Sequence, residues 1–292
     1  MVHGVLWSPP VKLGIFGLST GAGIDPALTA RLAREAEALG YDSWWVPEHV
    51  VLPSPRVPPS PMEPTDAILD PIVALAFVAA VTTTIDLATG ILILPQRNPV
   101  VLAKQVASLD VLSNGRLVLG VGAGYLEPEM RAIGVSLAER GSRTDEYIDA
   151  MRALWTQTSP EYHGRHVDFA GIDAHPRPAQ AGGPRLVIGG GSPAAHARAI
   201  RRGHGWYGFF IDPELAATNV QALRATAARI ERPVALGRLE ISITPSKRLD
   251  AGLIDAYAEA GVDRLIVRPR SIEHEDAIMT FMRENAQLVL GR

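Results

Sequence analysis

The chain of 292 residues contains no cysteine. That absence excludes disulfides, thiolate nucleophiles and cysteine-ligated zinc or iron–sulfur centres. Runs of basic residues are also missing. With 28 Lys and Arg against 31 Asp and Glu, the net charge is −3, which speaks against nucleic acid as the main partner and gives no polybasic handle for a membrane surface. Long apolar runs are lacking too: the longest, Ile72 to Val81, is far too short to cross a bilayer. The first ten residues show no charged stretch followed by an apolar one, so the protein is expected to be soluble and cytoplasmic. No His-x-x-x-His pair or clustered carboxylate spacing accompanies the histidines, and no metal site is expected. Aromatic residues make up only 6% of the chain. Packing therefore explains Trp44-Trp45 and Trp206 better than a stacking platform does.

What is present is alternation. Strand-length apolar runs and helix-length amphipathic runs follow one another without a linker that would divide the chain, so residues 1–292 are read as one domain. Strands are expected at Val11–Leu18, Ser43–Pro47, Asp86–Leu94, Arg116–Val121, Arg185–Ile188, Trp206–Ile211, Val234–Ile243 and Arg264–Val267. Each is followed by a helix, the first being Pro26–Leu39 with Asp25 as N-cap, Pro26 at its first position and Gly40 as its stop. The Pro-rich segment after the second strand and the irregular stretches on either side of the helix Arg143–Thr156 are expected to be insertions. Eight β-then-α units at this length predict an α/β fold in which a parallel sheet closes into a (β/α)₈ barrel, with insertion loops after strands 2 and 4.

In such a barrel, chemistry gathers at the C-terminal ends of the strands. Four places qualify: Glu48-His49, Gly90-Ile91, Gly120 to Gly124, and Gly189 to Pro193. The glycines before Ser192 and Pro193 would expose several backbone N–H groups at a helix start, where a phosphate is the natural guest. They would equally permit a tight turn with Ser192 as an ordinary N-cap. Gly122, Ala123 and Gly124 either let a flat ring or phosphate approach bare backbone or simply fit a crowded rim. A dinucleotide fingerprint is a poor reading of them, because Tyr125 stands where a further spaced glycine belongs. His49 is placed to exchange hydrogen bonds with a cofactor or substrate at neutral pH. Glu48 could orient it or be an unrelated carboxylate.

These residues resemble the luciferase-like monooxygenase superfamily, and within it the branch of oxidoreductases that use the deazaflavin coenzyme F420. The resemblance runs from about Val11 to Trp206. Its most specific stretch reads Ala88-Thr-Gly-Ile-Leu-Ile-Leu-Pro95, followed by Asn98-Pro99-Val, Ala103-Lys104-Gln105, Leu109-Asp110-Val-Leu-Ser113-Asn-Gly-Arg116 and the glycines up to Gly124. Glu139-Arg140-Gly-Ser-Arg143-Thr-Asp145-Glu146, Leu154-Trp155, Pro176-x-Pro178-x-Gln180, Ile188-Gly189-Gly190 and Gly203-His204-Gly205-Trp206 resemble the deazaflavin branch in particular. The resemblance implies that His49 faces the reactive ring carbon and that Gly90-Ile91 is a bulged, cis link behind the ring. It also implies that backbone near Gly122–Gly124 and Gly190, Gly191 and Ser192 holds the phosphate-bearing side chain. Two departures from the family pattern stand out: Glu48 where an Asp is usual, and His204 within the Gly-x-Gly-Trp motif.

The expected activity is F420-dependent hydride transfer to or from a small organic substrate, in an enzyme expected to be a homodimer. The alternatives are an FMN-dependent two-component monooxygenase acting on an aldehyde, alkane or sulfonate, and a barrel that binds a ligand without catalysis.

Overall fold

The computed structural model describes residues 11–291. Its main sheet is a ring. The strands are β1 (Lys12–Phe16), β2 (Ser43–Val46), β3 (Asp86–Thr89), β4 (Leu92–Ile93), β5 (Leu117–Gly122), an outlying hairpin of β6 (Tyr162–His163) and β7 (Asp168–Phe169), then β8 (Arg185–Gly189), β9 (Gly205–Ile211), β10 (Glu240–Pro245) and β11 (Arg264–Val267). Around the ring the order is β3-β2-β1-β11-β10-β9-β8-β5, all parallel, and pairing of β3 with β5 closes it. The helices packed outside are α1 (Pro26–Ala38), α2 (Pro71–Val81), α3 (Pro99–Leu112), α4 (Glu127–Ala132), α5 (Arg140–Thr156), α6 (Pro193–Arg202), α7 (Pro213–Ala227), α8 (Ala251–Glu259) and α9 (Glu275–Leu290). The fold is the closed eight-position (β/α) barrel that the alternation predicts.

Local chemistry explains the helix starts. Asp25, Asp70, Asn98, Ser192, Asp212 and Asp250 each accept a hydrogen bond from a backbone N–H in the first turn, and a proline follows all but Asp250 directly.

The inside of the barrel is built in layers, because alternate residues of a strand face the same way. At the waist, seven strands each contribute one apolar residue: Phe16, Trp45, Ala88, Val118, Val187, Tyr207 and Ile266. The eighth, β10, contributes Thr244, which is hydrogen-bonded to Tyr207 Oη at 2.7 Å. Below them the floor is charged. Arg264, 1% exposed, lies 2.8 Å from Asp42 and bonds Glu240 and, at 3.1 Å, Ser242.

Two expected strands differ. The third is interrupted at Gly90-Ile91, where the ladder resumes as β4 against β5. The seventh begins at Glu240 rather than Val234: residues Val234–Leu236 form a 3₁₀ turn and Gly237 has φ of 59°. That left-handed glycine ends any extended run there.

Insertions do follow the second and fourth barrel positions, residues 47–70 and 123–139. The hairpin β6–β7 comes after α5, yet its tip climbs back to the N-terminal end of that helix. Arg165 pairs with Glu139 at 2.9 Å, and the His166 N–H donates to Glu146 at 2.7 Å.

Candidate functional site

The expected residues converge at the C-terminal rim of the ring. The Gly90–Ile91 peptide is cis. Gly90 is buried between Phe16 and Trp45, where a Cβ would come within 3.0 Å of the Phe16 ring and 3.1 Å of the Trp45 indole. A side chain at that point would displace the aromatic waist.

His49 stands just past β2 with its side chain 8% exposed. Its Nδ1 lies 2.9 Å from Glu129 Oε2, and the same carboxylate accepts the Val50 N–H through Oε1 at 2.6 Å. Glu129 belongs to α4 and its side chain has no exposure. A buried carboxylate held by two donors fixes both the plane of the imidazole and the nitrogen that carries its proton. Nδ1 is therefore committed and Nε2 is the free nitrogen. The Tyr125 ring meets the imidazole edge-on, with centroids 6.2 Å apart. Burial and the neighbouring Glu129 raise the Tyr125 phenol above its ordinary value, so it stays a donor at neutral pH. On the loop side, His49 borders a hollow of about 320 Å³ shared with Val50, Val51, Asp66 and Leu69.

The expectation that Glu48 orients His49 is corrected. Neighbouring residues in extended chain point to opposite sides, and Glu48 turns away into the wall. There it accepts the Ile93 N–H at 2.5 Å and both Nε and Nη2 of Arg97, which also reaches Asp70 at 2.6 Å. Burial pushes the Glu48 carboxyl up, while Arg97 and the Ile93 N–H pull it back. Glu48 thus ties β2 to the segment just after the cis peptide, and the carboxylate beside His49 is one that sequence reading passed over. Glu129 lies one helical turn beyond the glycine run, beside an equally plausible Glu127 that only pairs with exposed Arg131. Nothing in the residue pattern separates the two.

The glycines divide into two kinds. At Gly120, Gly122 and Gly124 a Cβ would run into Thr89, Ile91 and Ile93 respectively, at 1.9, 2.5 and 2.7 Å. Those positions let the fourth strand lie close against the third. Ala123 and Gly124 still leave half-buried backbone at the mouth. At the start of α6 the situation is different. Ser192 caps the helix by accepting the Ala195 N–H at 3.2 Å, while the N–H groups of Gly191 and Ser192 have no protein acceptor among the described residues. Gly190 has φ of 108°, and its carbonyl accepts a hydrogen bond from Trp206 Nε1 at 2.8 Å. The buried indole, expected to be packing alone, also holds this turn in place. The cap and the anion-binding start coexist, because the cap occupies the Ser192 hydroxyl and not the N–H groups. Phosphate fits here: free N–H groups, a helix start and no side chain in the way.

His204, the second departure from the family pattern, sits at the opposite end of the barrel, where its Nδ1 accepts the Leu186 N–H at 2.9 Å.

The profile of the luciferase-like monooxygenase family matches residues 11–280. This chain belongs to that family. Members of the luciferase-like family are oxidoreductases and monooxygenases, and the barrel here follows the family's plan. An uncharacterized protein of Mycobacterium tuberculosis is 33% identical over 285 residues, 94% of this chain and 98% of that one. An FMNH(2)-dependent dimethylsulfone monooxygenase of Pseudomonas putida is 32% identical over 143 residues, 48% of this chain and 39% of its own. Among solved structures, the coenzyme F420-dependent tetrahydromethanopterin reductase of Methanopyrus kandleri superposes with a TM-score of 0.76 at 16% identity, covering 97% of this chain and 99% of that one. Proteins similar to this chain in sequence or in fold thus include users of both cofactors. No helix among the described residues is long and apolar enough to cross a membrane.

Proposed function

We propose that this protein is a deazaflavin-dependent oxidoreductase that transfers hydride between coenzyme F420 and an organic substrate, with His49 as its proton donor or acceptor. The observation that carries the reading is the His49–Glu129 pair. A histidine with Nδ1 locked to a buried carboxylate, at the rim beside the ring-backing segment, is built for proton exchange through Nε2.

When bound, deazaflavin carries two electrons as hydride and does not readily activate oxygen. The chain's own residues would do the rest. Backbone at Gly191 and Ser192 would hold the cofactor's phosphate, and Trp206 would keep that turn in shape. Gly90, Ile91 and Ala123 would present bare backbone and one apolar side chain to the ring. His49 Nε2 would give its proton to a substrate oxygen as a carbonyl is reduced, or take it as an alcohol is oxidised. Glu129 would stabilise the imidazolium and restore its orientation after each transfer. Glu48 and Arg97 would support that arrangement without touching the reacting atoms.

The choice of F420 over FMN rests on the residues around Arg143 and Trp206, which resemble the deazaflavin branch. An FMN-dependent monooxygenase would use the same phosphate site and the same histidine. Titration of the protein with each cofactor, followed by fluorescence, tests the choice. We expect F420 to bind with micromolar or tighter affinity, about −8 kcal/mol or better. Tight FMN binding with no measurable deazaflavin binding would overturn it.

A further inference from the structure

The inward face of β11 carries Arg264 at the floor and Ile266 at the waist. The next inward place, one residue past the strand's end, is Arg268. It is exposed, and among the described residues no carboxylate pairs with it. Burial raises the phenol of Tyr207 at the waist, and the Thr244 hydrogen bond and the charge of Arg268 work against that rise. Arg264 and Arg97, by contrast, are fully engaged by acidic partners.

Two strands away around the ring, β9 makes the neighbouring wall. After buried Tyr207 its next inward residue is Phe209, which packs on Phe16 at 5.2 Å and on Tyr207 at 6.3 Å yet remains 49% exposed. Phe210 beside it is 54% exposed and adopts φ of 58°. A left-handed conformation costs an aromatic residue about 1–2 kcal/mol. The chain thus holds two large apolar side chains out to solvent at the mouth, one of them in a strained conformation. Exposed apolar surface of this kind marks a binding site.

We propose that the substrate of this site is a flat or compact apolar molecule bearing an oxyanion, that Arg268 binds the oxyanion, and that Phe209 and Phe210 hold the apolar body. This rests on the hydride-transfer reading for its location, opposite His49. The planar fork of an arginine matches a carboxylate or phosphate with two parallel hydrogen bonds. Lys247 and Arg270, exposed on the loops after β10 and β11, add positive charge to the same side; the acids of those loops are Glu273 and Asp250, the latter occupied as the cap of α8 by the Leu253 N–H. The cofactor's own phosphate does not account for Arg268. Its site at Gly191 and Ser192 follows β8, three strands around the ring from β11.

The test is calorimetric titration of the full chain, with and without deazaflavin, using benzoate, phenyl phosphate and benzamide as probes. Benzoate or phenyl phosphate should bind at least about tenfold more tightly than neutral benzamide, a difference of ~1.4 kcal/mol. Which anion binds better tells a carboxylate substrate from a phosphate. Arg268→Gln should remove the preference and leave benzamide affinity unchanged; Phe209→Ala should weaken all three probes alike. Equal affinities for anions and amide, no binding of any probe, or a preference that survives Arg268→Gln would overturn the proposal. So would a tenfold loss of deazaflavin affinity in Arg268→Gln, which would assign the arginine to the cofactor. An Arg268-dependent preference in a protein that binds no deazaflavin would support this inference and sink the hydride-transfer reading alone.

Discussion

At the floor of the barrel, Arg264 meets Asp42, Glu240 and Ser242, and Lys12 completes the set at 2.8 Å from Glu240. At the mouth, Glu48 is spent on Arg97 and Glu129 on His49, while His49 Nε2 and Arg268 have no acidic partner among the described residues. Both ends bury ionic groups, but only the floor closes its network on itself. A closed network tethers β1, β2, β10 and β11 and has nothing left to offer a ligand. An open one has donors and acceptors to spare, and the barrel's chemistry belongs at that end.

Breaking the floor should cost stability most. Arg264→Ala takes the cation from half-buried Asp42 and leaves Glu240 with Lys12 alone; full loss of a buried ion-pair partner costs about 3–5 kcal/mol, and partial exposure puts this site at the lower end, about 3 kcal/mol. We expect a urea unfolding midpoint lowered to match, with deazaflavin affinity of the folded protein retained. A smaller loss than ~1 kcal/mol would mean that solvent reaches the floor.

At the mouth the corresponding change is Gly191→Val. The backbone there is not left-handed, and a Cβ would approach nothing nearer than Asn219 Oδ1 at 3.3 Å, so the variant should fold. Its side chain would stand between the free N–H groups and a phosphate. We expect cofactor affinity to fall at least about tenfold, ~1.4 kcal/mol, with the unfolding midpoint nearly unchanged. Unchanged affinity would return this turn to a purely structural role.

The smallest effect belongs to Glu37, on the floor side. Burial works against its charge, but the N–H groups of Thr84, Ile85 and Thr83 hold its carboxyl down to about 2. A carboxyl depressed in the folded state stabilises fully above its unfolded value near 4.5 and progressively less as pH falls toward about 2. Because the group is mostly solvated, the contribution is about 1 kcal/mol. Denaturant titrations at pH 6 and pH 3 should show this acid-dependent part in the parent and not in Glu37→Gln.

How much was legible in the sequence follows from how far apart the cooperating residues lie. His49 and the Gly190–Ser192 segment were readable because each directly follows a strand whose pattern marks its end, whereas Gly90–Ile91 lies inside an expected strand and stood out only through the family resemblance. Glu129 was not, since it reaches His49 across 80 residues and its helix offers two glutamates. Glu48 was misassigned for the opposite reason: adjacency in sequence places it on the other face of the chain. Val234–Leu236 looks like strand by composition, but Gly237 and exposed Val234 turn it into a loop. Arg268 follows the two-residue period of Arg264 and Ile266, which becomes informative only once the inner face of β11 is known.

The account stands on His49 as the proton-exchanging group held by Glu129. The most direct measurement is single-turnover absorbance of bound deazaflavin in His49→Ala, with a substrate turned over by the parent enzyme. We predict a loss of at least about a hundredfold in the hydride-transfer step, with fold and cofactor affinity retained. Transfer at nearly the parental rate would contradict the account and leave His49 a packing residue.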